Sequence, residues 1–125
     1  MYALDDEVLV ETIDNVSIYF QPMVEDTSPF DLFEDKEACE TMDKIESGEW
    51  VWFVAKVTAR IDGDEDDYYN LELASEYLCG CIYDSYEQFY TEYKDQCYSE
   101  MRDEVLKQSK QELKSLKTLL DKLVS

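Results

Sequence analysis

The sequence predicts an α+β protein in which a small antiparallel sheet of three or four strands packs against helices, the last of them long and C-terminal. Two patterns carry that expectation. Between Trp50 and Ile61 apolar residues recur at every second position. Val51, Phe53, Ala55, Val57, Ala59 and Ile61 make one face, and Trp50, Trp52, Val54, Lys56, Thr58 and Arg60 the other. From about Tyr93 the spacing becomes helical: Leu106, Leu113 and Leu120 fall one heptad apart, as do Leu116 and Leu123. A chain of 125 residues, 45% of them hydrophobic, suffices for one domain with a modest core. The expected division is an acidic α+β domain over residues 1–105 and a helical continuation over 106–125 that serves as a dimerisation segment.

The other elements follow in order. Leu4, Val8, Leu9 and Ile13 suggest a short amphipathic helix at the N-terminus. Val16, Ile18 and Phe20 alternate with Ser17, Tyr19 and Gln21 as a strand that Pro22 ends, and Glu25 to Pro29 is a loop by composition. Asp31 can cap a helix whose buried side is Ala38, Met42 and Ile45, with Gly48 just past its end. Asp62 to Asp67 is an acidic turn. Tyr68 to Leu73 pairs back as a hairpin strand, and Tyr77 to Tyr83 is another strand or its continuation after a bend. Ser85 can cap a short helix holding Phe89, and Ser109 interrupts the leucine seam of the long helix.

Charge is the strongest compositional signal. The chain carries 31 acids and 11 bases, a net charge of −20. Residues 1–93 hold 25 acids against four bases, a balance of −21, and residues 94–125 hold six acids against seven bases, a balance of +1. The acidity therefore belongs to the body of the fold. Such a body repels phosphates, so direct nucleic-acid binding is excluded. No stretch has the roughly 18 uncharged apolar residues of a membrane helix, and the N-terminus lacks a signal peptide's basic and apolar regions. A cytoplasmic protein is expected, and in that compartment Cys39, Cys79, Cys81 and Cys97 are free buried thiols in preference to disulfides or a zinc site.

Little points to chemistry. There is no histidine, so the commonest general base is missing. No nucleophile elbow, phosphate loop or dinucleotide fingerprint occurs. Asp62, Asp64 and Asp66 match the first three ligand positions of a calcium loop, but Asp67 replaces its glycine and Leu73 its final glutamate. A solvated hairpin turn is the expectation, with no metal and no cofactor. Trp50 and Trp52 are expected to pack in the fold.

The segments ESGEWVWFVAKVTA (Glu46–Ala59) and YLCGCIYDSYEQF (Tyr77–Phe89) together resemble a group of small acidic proteins encoded by phages and other mobile elements. These carry a Trp-x-Trp before an alternating strand and a Tyr-Leu-Gly-Gly-Cys-type strand. The resemblance covers about residues 16–105, departs from the pattern at Cys79, where glycine is expected, and leaves the Lys/Leu-rich tail as an extension. It carries no activity and no site residue. It implies a mobile-element setting, in the host cytoplasm, where small acidic proteins often inhibit host enzymes that act on nucleic acids.

The expectation is a non-enzymatic inhibitor whose partner is a basic nucleic-acid-binding protein. As a DNA mimic it would fill that partner's groove. As an immunity-type or adaptor protein it would bind elsewhere on a basic partner; a cation-dependent structural module is the other class left open, and the plain alternative is an acidic surface that only maintains solubility. Candidate contacts are the loop acids Glu25 and Asp26, the helix acids Glu34, Asp35, Glu37, Glu40 and Asp43, and the turn Asp62, Asp64, Glu65, Asp66 and Asp67 with Tyr68 and Tyr69. Leu106, Leu113, Leu116, Leu120 and Leu123 are the candidate homodimer contacts.

Overall fold

The period-two run is the central rib of the molecule. The computed structural model describes residues 2–62 and 70–124. Among these, four strands form one antiparallel meander: β1 (Val8–Ile13), β2 (Val16–Met23), β3 (Val51–Asp62) and β4 (Asn70–Tyr83), each hydrogen-bonded to the next in sequence. The segment between β2 and β3 carries helices α1 (Pro29–Leu32) and α2 (Asp35–Glu46). After β4 come a single 3₁₀ turn, Glu87–Phe89, a wide turn, Lys94–Tyr98, and the long helix α3 (Ser99–Val124). The α+β architecture with its long C-terminal helix is the one predicted.

The N-terminal expectation is corrected: residues 8–13 are a strand, not a helix. Asp14 and Asn15 both take left-handed backbone angles (φ 51° and 68°) and make a two-residue hairpin turn. Asp and Asn tolerate that region best after glycine, and the turn's twist suits a β-hairpin. An irregularity between Leu9 and Glu11 shifts the alternation of β1, so its apolar spacing imitates a helix. Pro22 does not end its strand either. It sits inside β2 opposite Ala55, and its carbonyl accepts the Leu4 N–H at 2.8 Å as the N-terminal residues take over from β1.

Asp31 caps, but not α2. It closes a capping box on α1, where its carboxylate accepts the Ser28 N–H at 3.1 Å and the Ser28 hydroxyl accepts the Phe30 N–H at 3.2 Å. Gly48 ends α2 as expected, with φ 84°. β4 is one strand bent at Gly80, whose φ of 68° lies at the irregularity opposite Phe53 and Ala55. A glycine in the left-handed region is the residue such a bulge takes.

The core lies on the Phe53/Val57 face of the sheet. Ile18, Phe20, Phe53, Ala55, Val57 and Ala59 meet Phe89, Tyr98, Met101 and Val105 from the far side. Met101, Val105 and Ser109 fall every fourth residue and form the docking face of α3. Ser109 is fully buried, with its hydroxyl donating to the Val105 carbonyl at 2.6 Å. The seam's interruption is therefore the contact itself, because a small side chain lets the helix lie close to the sheet. The Tyr98 hydroxyl donates to Glu11, which also faces Arg102 at 3.6 Å. Burial and that bond push the Tyr98 phenol above its ordinary value. On the opposite face the Trp52 indole N–H donates to the Thr27 carbonyl at 2.9 Å, so the loop before α1 covers that end of the sheet.

Phe89 is fully buried against Phe20 (5.4 Å), Tyr83 (5.5 Å), Tyr98 (6.2 Å) and Phe53 (6.3 Å). Phe89→Ala is expected to cost about 3–5 kcal/mol, measured by urea denaturation. A cost under about 1 kcal/mol would show that the Asp84–Tyr98 segment does not depend on this ring.

Candidate functional site

The acids of α2 divide by helical geometry. Ala38 and Thr41 point inward, which sends Glu37, Glu40 and Lys44 to one flank and Asp35, Lys36, Asp43 and Glu46 to the other, all of them exposed. Glu34 is the exposed N-cap residue.

The Glu37/Glu40 flank forms one wall of a groove of about 620 Å³, which also takes in Phe33, Trp50, Ile82, Tyr83, Asp84, Gln88, Tyr93 and Gln96. Trp50 is delivered by the turn after α2, where its N–H donates to the Lys44 carbonyl at 3.2 Å. The Lys44 ammonium lies 4.2 Å from the centre of the Trp50 ring. Gln88 organises the opposite wall. Its amide nitrogen donates to Asp84 at 3.2 Å and Glu92 at 2.8 Å, while its carbonyl oxygen accepts the Asp84 N–H at 2.9 Å. Two carboxylates are thus held by one amide. The Tyr83 phenol, raised above its ordinary value chiefly by burial, is neutral at physiological pH. A second groove, about 280 Å³, lies across the Ser85–Tyr90 segment and includes Asp5, Asp6, Glu87, Tyr86 and Tyr90. Carboxylates and rings therefore line both sides of the Ser85–Tyr90 segment.

The structure brings only part of the predicted contact set to this place. Glu37 and Glu40 are at the groove, and Asp35 and Asp43 lie on the other flank of the same helix. Asp26 is exposed, whereas Glu25 is half-buried and braces the fold: one oxygen accepts the Thr27 N–H at 2.9 Å and the other the Gly80 N–H at 2.7 Å. Asp62 ends β3, paired with Asn70. Asp64, Glu65, Asp66, Asp67, Tyr68 and Tyr69 lie outside the described residues. Asp84, Gln88 and Tyr93 also line the groove and are not among the sequence-predicted contacts. The signal for Asp84 and Gln88 is the interleaving of rings and polar groups in YDSYEQF (Tyr83–Phe89), expected only to cap and hold a short helix; Tyr93 lies beyond that segment.

The leucine stripe is split. Leu106, Leu113 and Leu116 are half-buried, and Leu120 and Leu123 are 60% and 73% exposed, beside exposed Leu119 and Val124. The cysteine expectation needs correction. All four thiols are free, but only Cys81 is buried, with Cys97 half-buried, while Cys39 on the outer flank of α2 and Cys79 beside the Gly80 bend are exposed. Burial pushes the Cys81 thiol up to about 12, so it stays protonated at neutral pH. No helix of the described residues is long and apolar enough to cross a membrane.

Comparison with known proteins gives no match among family models, curated proteins or solved structures.

Glu25→Ala strips two backbone N–H groups of their acceptor and is expected to cost about 1–3 kcal/mol. Asp26→Ala is expected to stay within about 0.5 kcal/mol. Denaturant titration of both variants checks this, and equal stabilities would remove the bracing role of Glu25.

Proposed function

We propose that the protein is a non-enzymatic inhibitor that imitates DNA and occupies the nucleic-acid groove of a basic host protein, one acting in defence or DNA processing. The supporting observation is how little of the acidity is neutralised internally. Among the described residues, ion pairs engage three carboxylates, Glu7, Glu11 and Asp103. The α2 acids face solvent, and so do Asp84, Glu87, Glu92 and Asp95 after β4.

Magnitudes say how much surface is needed. Duplex DNA carries about one charge per 1.7 Å, so twenty charges correspond to roughly 34 Å, or one helical turn. Helix α2 is about 18 Å long, a length over which a duplex presents about 11 phosphates, yet residues 34–46 hold six acids and two bases, a balance of −4. The helix alone is too sparse. An imitation of DNA needs α2 together with the acids around the two grooves.

The partner complex is expected to be displaced by duplex DNA, and to lose tenfold or more in affinity between about 50 and 200 mM salt. Competition binding at both salt concentrations checks this. A partner that holds DNA and this protein together would instead identify an adaptor that binds outside the groove, and affinity that is flat in salt would sink the electrostatic model.

Self-association through α3 fits the same charge distribution. Two bodies near −21 repel, and the exposed Leu119, Leu120, Leu123 and Val124 lie in the near-neutral segment. Light scattering is expected to report a dimer, and truncation after Thr118, which leaves the Met101/Val105/Ser109 contact intact, a folded monomer. A full-length monomer would end this proposal.

A further inference from the structure

We infer that the groove between α2 and the Asp84–Gln96 segment is a receptor for a single arginine side chain of the partner. The inference rests on the proposed function in one respect, the basic nature of the partner, and otherwise on the groove itself. Many exposed acids attract cations without selecting among them. This groove adds what a bare acidic surface lacks, aromatic walls. Trp50, Tyr83 and Tyr93 line it together with the carboxylates of Glu37, Glu40 and Asp84, and its volume of about 620 Å³ falls in the range of about 300–1,000 Å³ usual for ligand clefts.

The groove already holds a cation of its own. The Lys44 ammonium lies 4.2 Å from the Trp50 ring centre, and both residues line the groove, so this ring already accommodates a positive charge. An ammonium is a compact, strongly hydrated point charge. A guanidinium is planar and weakly hydrated, stacks on indole and offers a fork of N–H donors that matches carboxylates. A partner arginine is therefore suited to share or replace the Lys44 position, with its plane on Trp50 and its donors on the Glu37/Glu40 flank. Gln88 keeps the facing carboxylate of Asp84 from swinging away.

The test needs no partner protein. N-acetyl-arginine amide is titrated into the full chain and followed by NMR through the Trp50 indole resonance. Saturable shifts are expected at Trp50 and Gln88, with weaker binding of N-acetyl-lysine amide. Removing the internal competitor with Lys44→Gln is expected to tighten arginine binding by about two- to fivefold, the worth of one exposed cation–π contact. Lys36→Gln makes the same charge change on the other flank of α2 and is expected to do less. Glu37→Gln with Glu40→Gln is expected to weaken binding. These exposed positions leave the fold intact, which the unchanged remainder of the spectrum verifies.

Shifts spread evenly over the acidic surface overturn the inference, and so do equal effects of Lys44→Gln and Lys36→Gln. Equal binding of the lysine probe overturns the arginine assignment. DNA competition failing while this titration succeeds would end the mimicry proposal and leave the receptor standing, and the reverse pair of results would do the opposite.

Discussion

The burial of Phe89 is the contact on which the rest depends. A single 3₁₀ turn carries this ring into a nest of Phe20, Phe53, Tyr83 and Tyr98, and so fixes an irregular stretch that has no ladder of its own. Everything on that stretch inherits its position. Gln88 is the neighbouring residue and ties Asp84 to Glu92; Tyr93 faces α2 across the groove; Tyr98 carries the chain into α3. In a body at −21 the folded state starts with a self-repulsion that must be offset, and the offset is an aromatic core. A carboxylate that approaches it, Glu11, is met by the Tyr98 hydroxyl and Arg102.

The same constraint explains where the few cations sit. Residues 1–93 hold four bases, and three lie over rings: Lys44 on Trp50, Lys56 on Tyr77 and Arg60 on Tyr19. Arg60 also pairs with Glu7. The basic stretch on the second face of β3 is thus tied down across the sheet, while on α2 and on the segment after β4 the exposed charges are mostly acids. An arrangement that aimed only at solubility would have no need to keep its cations against aromatic rings, although it would tolerate it.

Much of the fold was legible because its periods are strong. The alternation from Val51 to Ile61, the Gly48 stop and the C-terminal helix were all readable from spacing. The misses share a cause, since each lies where one residue breaks a period. The left-handed Asp14–Asn15 turn and the shifted alternation of β1 turned a hairpin into an apparent helix. Pro22 suggested an end that the N-terminal residues in fact bridge. Gln96, outside the helical region (φ −102°, ψ −126°), breaks the winding that begins at Lys94, so that α3 proper starts at Ser99. The site was less legible than the fold for a different reason. Acids could be counted along the chain, but which of them share a concavity depends on α2 lying across a groove from a stretch some fifty residues away. Glu25 shows the converse, an acid in a loop by composition whose two oxygens are both engaged by backbone N–H groups.

Distributed charge and a shaped groove make different contributions to recognition. Charge spread over α2 and the Asp84–Asp95 acids raises encounter rates and favours any cationic channel, and its effect fades within about 10 Å at ordinary salt. It cannot by itself distinguish one basic groove from another. Discrimination requires desolvated contacts of defined shape, and binding energy concentrates at anchors such as tryptophan, tyrosine and arginine. Along this surface the concavities on either side of Ser85–Tyr90 combine rings with carboxylates, and the larger has an indole face already carrying an ammonium. A partner that presented only charge would be held as loosely as by any polyanion. On the proposed reading, one that presented an arginine at the right height would gain a stacked, forked contact there, and the position of that side chain relative to the partner's groove would set which basic protein is selected.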